Sequence, residues 1–176
     1  MDDGSEAKIG KLQRIIEESR YGVHDISRTE LDDESGLPRF NMPLELGIFL
    51  GAKYFGEARQ RAKACIILDR DPYRYQRFCS DIAGLDVRSH RCDESDLIRG
   101  VRDALRTWRP DQAIPSGRTL FARYAAFTEA IPGMAAKLKL DLEEITFRDL
   151  TGLVSLWLEM NGGGGPAGPR DSWALG

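Results

Sequence analysis

Glu45 combines the residue type and the surroundings that chemistry at a sugar carbon requires. It stands within the otherwise apolar run from Met42 to Leu50, and we predict that it lies in the first turn of a helix that Asn41 caps. A carboxylate near the positive end of a helix dipole stays ionised although partly buried. Such a carboxylate can stabilise or attack an oxocarbenium-like centre, as cleavage of an N-glycosidic bond requires. In the alternative, which spacing alone favours, Glu45 only complements the helix dipole.

Other polar residues follow the predicted strands at the points where those strands end. In an open parallel sheet, ligands bind at the carboxyl ends of the strands, where loops lead into helices. We therefore expect one edge of the sheet to bring together Asp25, Ser27, Arg28, Asn41, Glu45, Asp69 and Arg70. There Asp25 would hydrogen-bond a ribose hydroxyl or, as its position slightly favours, only the backbone donors of its own turn.

Two arginines near these strand ends could recognise a phosphate. Arg28 and Arg39 flank the polar loop after the first strand, and a guanidinium group can bind a phosphate through two parallel hydrogen bonds. Simple solvation at the surface is an alternative of equal weight for both.

Aromatic and imidazole side chains give weaker indications of a role in binding or catalysis. Tyr73, Tyr75 and Phe78 could stack on a base, but aromatic residues at this spacing belong more often to a core. His24 is interpreted as a core or edge residue of the first strand rather than as a catalyst, and His90 gives no stronger signal.

The periodicity of apolar residues predicts the elements that must position these side chains. Short extended runs at 21–26, 64–68 and 86–90 alternate with helical patterns at 5–19, 41–54, 73–78 and 93–108. The run at 64–68 is apolar throughout, as in a strand covered on both faces. Strands alternating with helices indicate an α/β fold, here a small parallel Rossmann-like or flavodoxin-like sheet flanked by helices.

The pattern changes after residue 109. We predict helices at 116–130 and 132–140, and a third from the cap Thr146-x-x-Asp149 to Met160. The prediction is thus an α/β domain over 1–109, an all-helical appendage over 110–160, and a flexible Gly/Pro-rich tail over 161–176.

Composition narrows the class of protein. The chain has 176 residues, of which 41% are apolar and 30% charged, and its net charge is -3, so neither nucleic acid nor a membrane is indicated as a partner. The three cysteines show no metal-like spacing and no disulfide framework. The acidic N-terminus does not resemble a signal peptide, and no apolar run is long enough to span a bilayer. We expect a cytoplasmic protein without a metal or cofactor.

Two segments resemble a family of small bacterial proteins. They are SRYGVHDISR at 19–28 and LPRFNMPLELG at 37–47, and the likeness continues through 63–68 and 80–84, covering roughly residues 5 to 107. The Asp-Ile-Ser strand end, followed by Asn-x-x-x-Glu-Leu-Gly opening a helix, is similar to TIR-like domains and nucleoside 2-deoxyribosyltransferases. The resemblance implies that Glu45 is catalytic at the anomeric carbon of a nucleoside or nicotinamide nucleotide, with Asp25 and Asn41 lining the pocket for ribose and base.

The sequence departs from that pattern at its start. Such proteins begin with a strand and a helix that supply the first loop of the pocket, whereas this chain opens on what would be a later helix. The expected sheet of three strands leaves an edge exposed, which a partner or a second copy would cover.

The leading hypothesis is an enzyme that hydrolyses or transfers an N-glycosidic bond of NAD or a nucleoside, in bacterial defence or signalling. Arg28 or Arg70 would then hold a phosphate. The alternatives are a nucleotide sensor without turnover and a module for protein interaction, since a fold does not fix a function.

Overall fold

The computed structural model describes residues 8–162 and confirms an α/β fold. The elements are, in chain order, α1 (Lys8–Glu18), β1 (Tyr21–Asp25), α2 (Asn41–Phe55), α3 (Ala58–Arg61), β2 (Ala64–Asp69), β3 (Val87–Ser89), α4 (Glu94–Trp108), α5 (Gly117–Lys137) and α6 (Phe147–Met160). Two short 3-10 helices, Arg74–Arg77 and Ser80–Ile82, connect β2 to β3. The predicted start of the first helix lies outside the described residues.

The three strands form one parallel sheet in the order β1-β2-β3. Tyr21 is in register with Ala64, and Ile67 with Val87. The last four residues of the central strand β2 are buried, because helices cover both of its faces. The expected small parallel sheet between helices is therefore present.

Each face of the sheet has its own core. On the α2 side, the buried residues are Ile26, Leu46, Ile67, Tyr75 and Ile82. On the α4 side, Ile66 and Leu68 pack against Ala104 and the partly buried apolar residues of that helix. Asp93 caps α4 by accepting a hydrogen bond from the Asp96 N–H, so the helix begins where the sequence predicts.

Lys63, which directly precedes β2, links α1 to the sheet through hydrogen bonds of its side chain. Its side chain is 2% exposed, and its ammonium group donates to the carbonyls of Ile16 and Ser19 at the C-terminal end of α1. A cation is favourable at that end of a helix. Burial lowers the pKa of Lys63, and the nearby charge of Arg59 acts in the same direction.

The chain divides into two compact units, one up to Gly117 and one from Arg118. The second unit is helical over its described part, with Met134, Leu153 and Trp157 at its core. Thr146 and Asp149 form the predicted capping box at the start of α6.

One prediction for this second unit is wrong. The helices expected at 116–130 and 132–140 form the single helix α5, with Pro132 in its interior. Proline removes one backbone hydrogen bond and usually breaks or kinks a helix, and Gly133 after it is also a poor helix former. The helix continues here through good helix formers beyond them, Glu129 and Ala130 on one side and Met134 to Lys137 on the other.

Candidate functional site

The carboxyl ends of the strands meet at one edge of the sheet, as expected. β1 ends at Asp25, β2 at Asp69 and β3 at Ser89, with Ser89 in register with Asp69. The Ile26 N–H continues the ladder by donating to the Leu68 carbonyl. This edge carries the loops in which the candidate site is built.

Asp69 is fully buried and engaged internally. One carboxylate oxygen, Oδ1, accepts from Arg74 Nε at 2.8 Å, from Arg74 Nη2 at 2.6 Å and from the Arg70 N–H at 2.7 Å. The other oxygen, Oδ2, is buried without a hydrogen-bond partner among residues 8–162. Substrate binding by Asp69 stays a prediction, while its observed contacts fix the loop that follows β2.

Arg74 joins the loop after β1 to the end of β2. Besides Asp69, its guanidinium donates to Thr29 Oγ1 at 2.9 Å and to the carbonyls of Ile26 and Ser27 at 2.9 and 2.8 Å. The group also lies over the Phe78 ring, 4.9 Å from its centroid. Sequence reasoning missed Arg74, because an arginine in a short predicted helix shows no sign of contacts more than 40 residues away.

Arg70 forms ion pairs on the outside of the same edge. Its guanidinium donates to Glu30 Oε1 at 2.6 Å and to Asp71 Oδ2 at 3.0 Å. The hydrogen bond from Glu30's own backbone and the charges of Arg70 and Arg74 lower the pKa of Glu30. The hydrogen bond to Asp71, with the charges of both acids, raises the pKa of Arg70.

A cleft of about 410 Å³ opens at this edge. It is lined by Ser27, Arg28, Glu30, Leu31, Asp32, Asp33, Arg39, Arg70 and Cys92. The volume lies within the range of roughly 300 to 1,000 Å³ that is usual for small-molecule sites. Three of the predicted site residues, Ser27, Arg28 and Arg70, line it together with Arg39, which the sequence suggested as a phosphate ligand.

The acidic side of the cleft is shaped by an Asx turn. Asp32 Oδ1 accepts from the backbone N–H groups of Glu34 and Ser35 and from the Ser35 hydroxyl, and Asp32 Oδ2 lies 3.8 Å from Arg39 Nε. These hydrogen bonds, those from Ser35 above all, lower the pKa of Asp32. The loop thus presents a charged acid beside the arginines.

The Asp25 carboxylate accepts a backbone hydrogen bond within its own turn, as the position of Asp25 in the sequence slightly favoured. Its Oδ1 accepts from the Ser27 N–H at 3.0 Å and lies 3.5 Å from His90 Nε2. His90 Nδ1 accepts from the Cys92 N–H at 3.2 Å, so Nε2 is the ring nitrogen on the side of Asp25, and it makes no hydrogen bond within residues 8–162. A role for Asp25 toward ribose stays a prediction.

Two predictions about the start of α2 are wrong. The helix begins at Asn41, and Phe40 occupies the capping position without a side-chain hydrogen bond, so Asn41 is not the cap. Glu45 is therefore the fifth residue of the helix, beyond the first turn where the free N–H groups lie. It is half-buried and is not among the residues that line the cleft.

The aromatic residues and His24 take structural positions. Tyr75 is buried in the core on the α2 side, Phe78 packs against that core, and Tyr73 is 72% exposed in a left-handed conformation. The His24 ring meets the Phe49 ring edge-on at 4.9 Å, and burial lowers the pKa of the imidazole.

Further features bear on the type of site. No three or more His, Cys, Asp or Glu side chains within residues 8–162 are arranged to hold a metal ion. The helices of the same residues include none that is long and apolar enough to cross a membrane.

A second cavity, of about 220 Å³, opens near the amino ends of β2 and β3. Its lining includes Cys65, Asp86 and Trp108.

Comparisons with protein-family models, curated proteins and solved structures found no match to this chain.

Proposed function

We propose that the chain binds a nucleotide through its phosphate in the cleft at the carboxyl edge of the sheet. The observation that carries this proposal is that Arg28, Arg39 and Arg70 line one cleft of about 410 Å³ together with Ser27. Acidic residues line it as well, and Glu30 and Asp32 lie against Arg70 and Arg39, so a phosphate would compete with these carboxylates for the two arginines. Arginine is suited to phosphate because its planar group offers two parallel donors. The edge is also where open parallel sheets bind ligands.

The contacts of Arg74 support this proposal. They hold the backbone carbonyls of Ile26 and Ser27 and the Thr29 hydroxyl in place, so the wall of the cleft is built before a ligand arrives. A pre-formed wall reduces the ordering cost of binding.

The activity proposed for such a site is hydrolysis or transfer of an N-glycosidic bond, with Glu45 as the carboxylate that meets the ribosyl cation. Glu45 has no hydrogen-bond or ion-pair partner among residues 8–162, so its lone pairs are available to a substrate. Glu45 does not line this cleft, which we call the arginine cleft after Arg28, Arg39 and Arg70. Phosphate binding therefore does not depend on the catalytic step. A nucleotide sensor without turnover shares the cleft and differs only at Glu45.

Binding is tested by titrating the protein with AMP, NAD and adenosine by isothermal calorimetry, in wild type, Arg28→Ala and Arg39→Ala. We expect the phosphate-bearing ligands to bind and adenosine to bind at least about tenfold more weakly, with each arginine variant reducing the affinity for AMP by about tenfold or more, since charged hydrogen bonds are strong. Arg106→Ala, at an exposed position of α4, is the matched control. Equal binding of AMP and adenosine would refute the phosphate site.

Turnover is tested separately by measuring the release of nicotinamide from NAD and of free base from nucleosides. We expect wild type to release product and Glu45→Gln to lose that release while it still binds AMP, because the amide cannot supply negative charge to an oxocarbenium-like centre. Leu44→Gln, at the neighbouring exposed position, controls for surface changes on α2. Binding without release in wild type would establish the sensor instead of the enzyme.

A further inference from the structure

The outer edge of β1 carries backbone groups that nothing in the described chain pairs. The Ala64 N–H donates to the Arg20 carbonyl and the Ile26 N–H donates to the Leu68 carbonyl, so even-numbered residues of this strand face β2. Tyr21, Val23 and Asp25 consequently point their N–H and C=O groups away from the sheet, because successive residues alternate. No hydrogen bond to any of these six groups occurs within residues 8–162.

These groups are arranged symmetrically about Val23. If a second β1 strand runs antiparallel beside the first with the two Val23 residues opposite each other, each Tyr21 faces the Asp25 of the other copy. All three facing positions are then hydrogen-bonded pairs, each of which exchanges two bonds. Every outward group of both strands is satisfied, and no outward group is left over.

The side chains match in the same arrangement. Val23 is 53% exposed and would be covered at the twofold axis by its own symmetry mate. Arg20 lies with its guanidinium carbon 5.4 Å above the Tyr21 ring, which places a positive charge next to the position of the second copy's Asp25. A basic residue thus directly precedes β1 and an acidic residue ends it, and an antiparallel copy of the strand supplies the complementary order of charge.

We propose that two copies of this chain associate through antiparallel pairing of their β1 strands, centred on Val23, to form one continuous sheet of six strands. The interface is isologous, with the same patch used by both copies. Pairing removes an unprotected edge, which proteins otherwise cover or charge. The proposal is independent of nucleotide binding, because no residue from Arg20 to Asp25 lines the arginine cleft.

The first test is the mass of the full chain in solution, by light scattering over a concentration series. We expect wild type to approach twice 19.7 kDa as the concentration rises. Val23→Pro removes the outward N–H but no bond to β2, as edge strands tolerate, and should weaken self-association by about tenfold or more because two interchain bonds are lost. Val23→Lys should also weaken self-association, because it places two like charges next to each other at the twofold axis. Val23→Thr has a similar shape and no charge, so it should leave self-association unchanged. Wild type that stays monomeric, or a dimer that both edge variants leave intact, would overturn the proposal.

A second test does not depend on disrupting the strand. Hydrogen-bonded antiparallel pairs have Cα atoms about 5.5 Å apart, which a disulfide can bridge. In a Cys92→Ser background, which removes the exposed native thiol, Val23→Cys should form a cross-linked dimer under mild oxidation. Phe55→Cys, at a position 92% exposed on α2, should not. Equal cross-linking of the two variants, or none at Val23→Cys, would refute the register.

Discussion

Arg74 uses all three nitrogens of its guanidinium group to hold the two loops of the candidate site together. Its partner Asp69 is fully buried, and a buried carboxylate is tolerated only when a cation or several donors neutralise it. The pair therefore stabilises this edge, and Arg74 also holds the backbone of Ser27, which lines the cleft.

We expect Arg74→Met to lower the free energy of unfolding by about 3 to 5 kcal/mol, because it leaves the Asp69 carboxylate buried and unpaired. Urea denaturation measures this change. Arg77→Met, at an exposed position of the same 3-10 helix, should change stability by less than about 0.5 kcal/mol. In an Asp69→Asn background, Arg74→Met should lower the free energy of unfolding by less, because the amide of Asn is neutral. If the loss were the same in both backgrounds, the ion pair would not be the cause of the destabilisation.

His24 makes stability depend on pH. Burial lowers the pKa of its imidazole in the folded chain below the ordinary value of 6.5. At pH values between the folded pKa and 6.5, the unfolded chain therefore binds a proton that the folded chain does not. The contribution of His24 to stability is complete above pH 6.5 and is lost as the pH falls through the lowered folded value. Urea midpoints from pH 8 to pH 5 should fall more steeply for wild type than for His24→Gln. Parallel curves for the two proteins would contradict the assignment.

At the residue scale, the order of the strands was enough to place Ser27, Arg28 and Arg70 at one edge, because the carboxyl ends of parallel strands coincide. The contacts of Arg74 and the approach of His90 to Asp25 were not predictable. They depend on how irregular loops fold back, and residue types at distant positions carry no periodic signal for that.

Glycine marks a point of close packing between β1 and α2. A Cβ atom at Gly22 would lie 2.6 Å from His24 Nε2 and 3.0 Å from the Phe49 ring. Strand β1 can approach α2 this closely only because position 22 has no side chain.

We expect Gly22→Ala to lower the free energy of unfolding by about 1 to 3 kcal/mol, since a tightly packed site must shift to admit a methyl group. Gly47→Ala on α2 is the matched control. A Cβ there meets nothing within 4 Å, and alanine should stabilise the helix by up to about 1 kcal/mol. Thermal or urea unfolding of the two variants should therefore move in opposite directions, and a shared direction would contradict the packing argument.

At the scale of elements, most of the fold follows from the sequence. The apolar run of β2 and the 3.6-residue pattern of α4 identify both elements because one face or both must be buried. The errors arise where local signals compete with the rest of the chain. Asn41 is a good cap by type, yet the chain enters α2 through Phe40, and Pro132 is a helix breaker by type, yet α5 passes through it.

At the scale of the whole molecule, the residues of the arginine cleft, from Ser27 to Cys92, belong to the first compact unit. The second unit has its own small core around Trp157. In the proposed dimer the two sheets run antiparallel, so the two clefts would open at opposite ends of the joined sheet.

The buried ammonium group of Lys63 has a consequence for how the molecule opens. Ile9 and Ile15 of α1 are 45% and 48% exposed to solvent. A helix with so little of its apolar surface covered would ordinarily unfold locally on its own. It cannot lift away without breaking the hydrogen bonds from the Lys63 ammonium to the carbonyls of Ile16 and Ser19, and Lys63 directly precedes β2. The amide protons of α1 should therefore exchange with deuterium only when the sheet itself opens, and Lys63→Met should let them exchange earlier than those of β2, which would separate one cooperative unit into two.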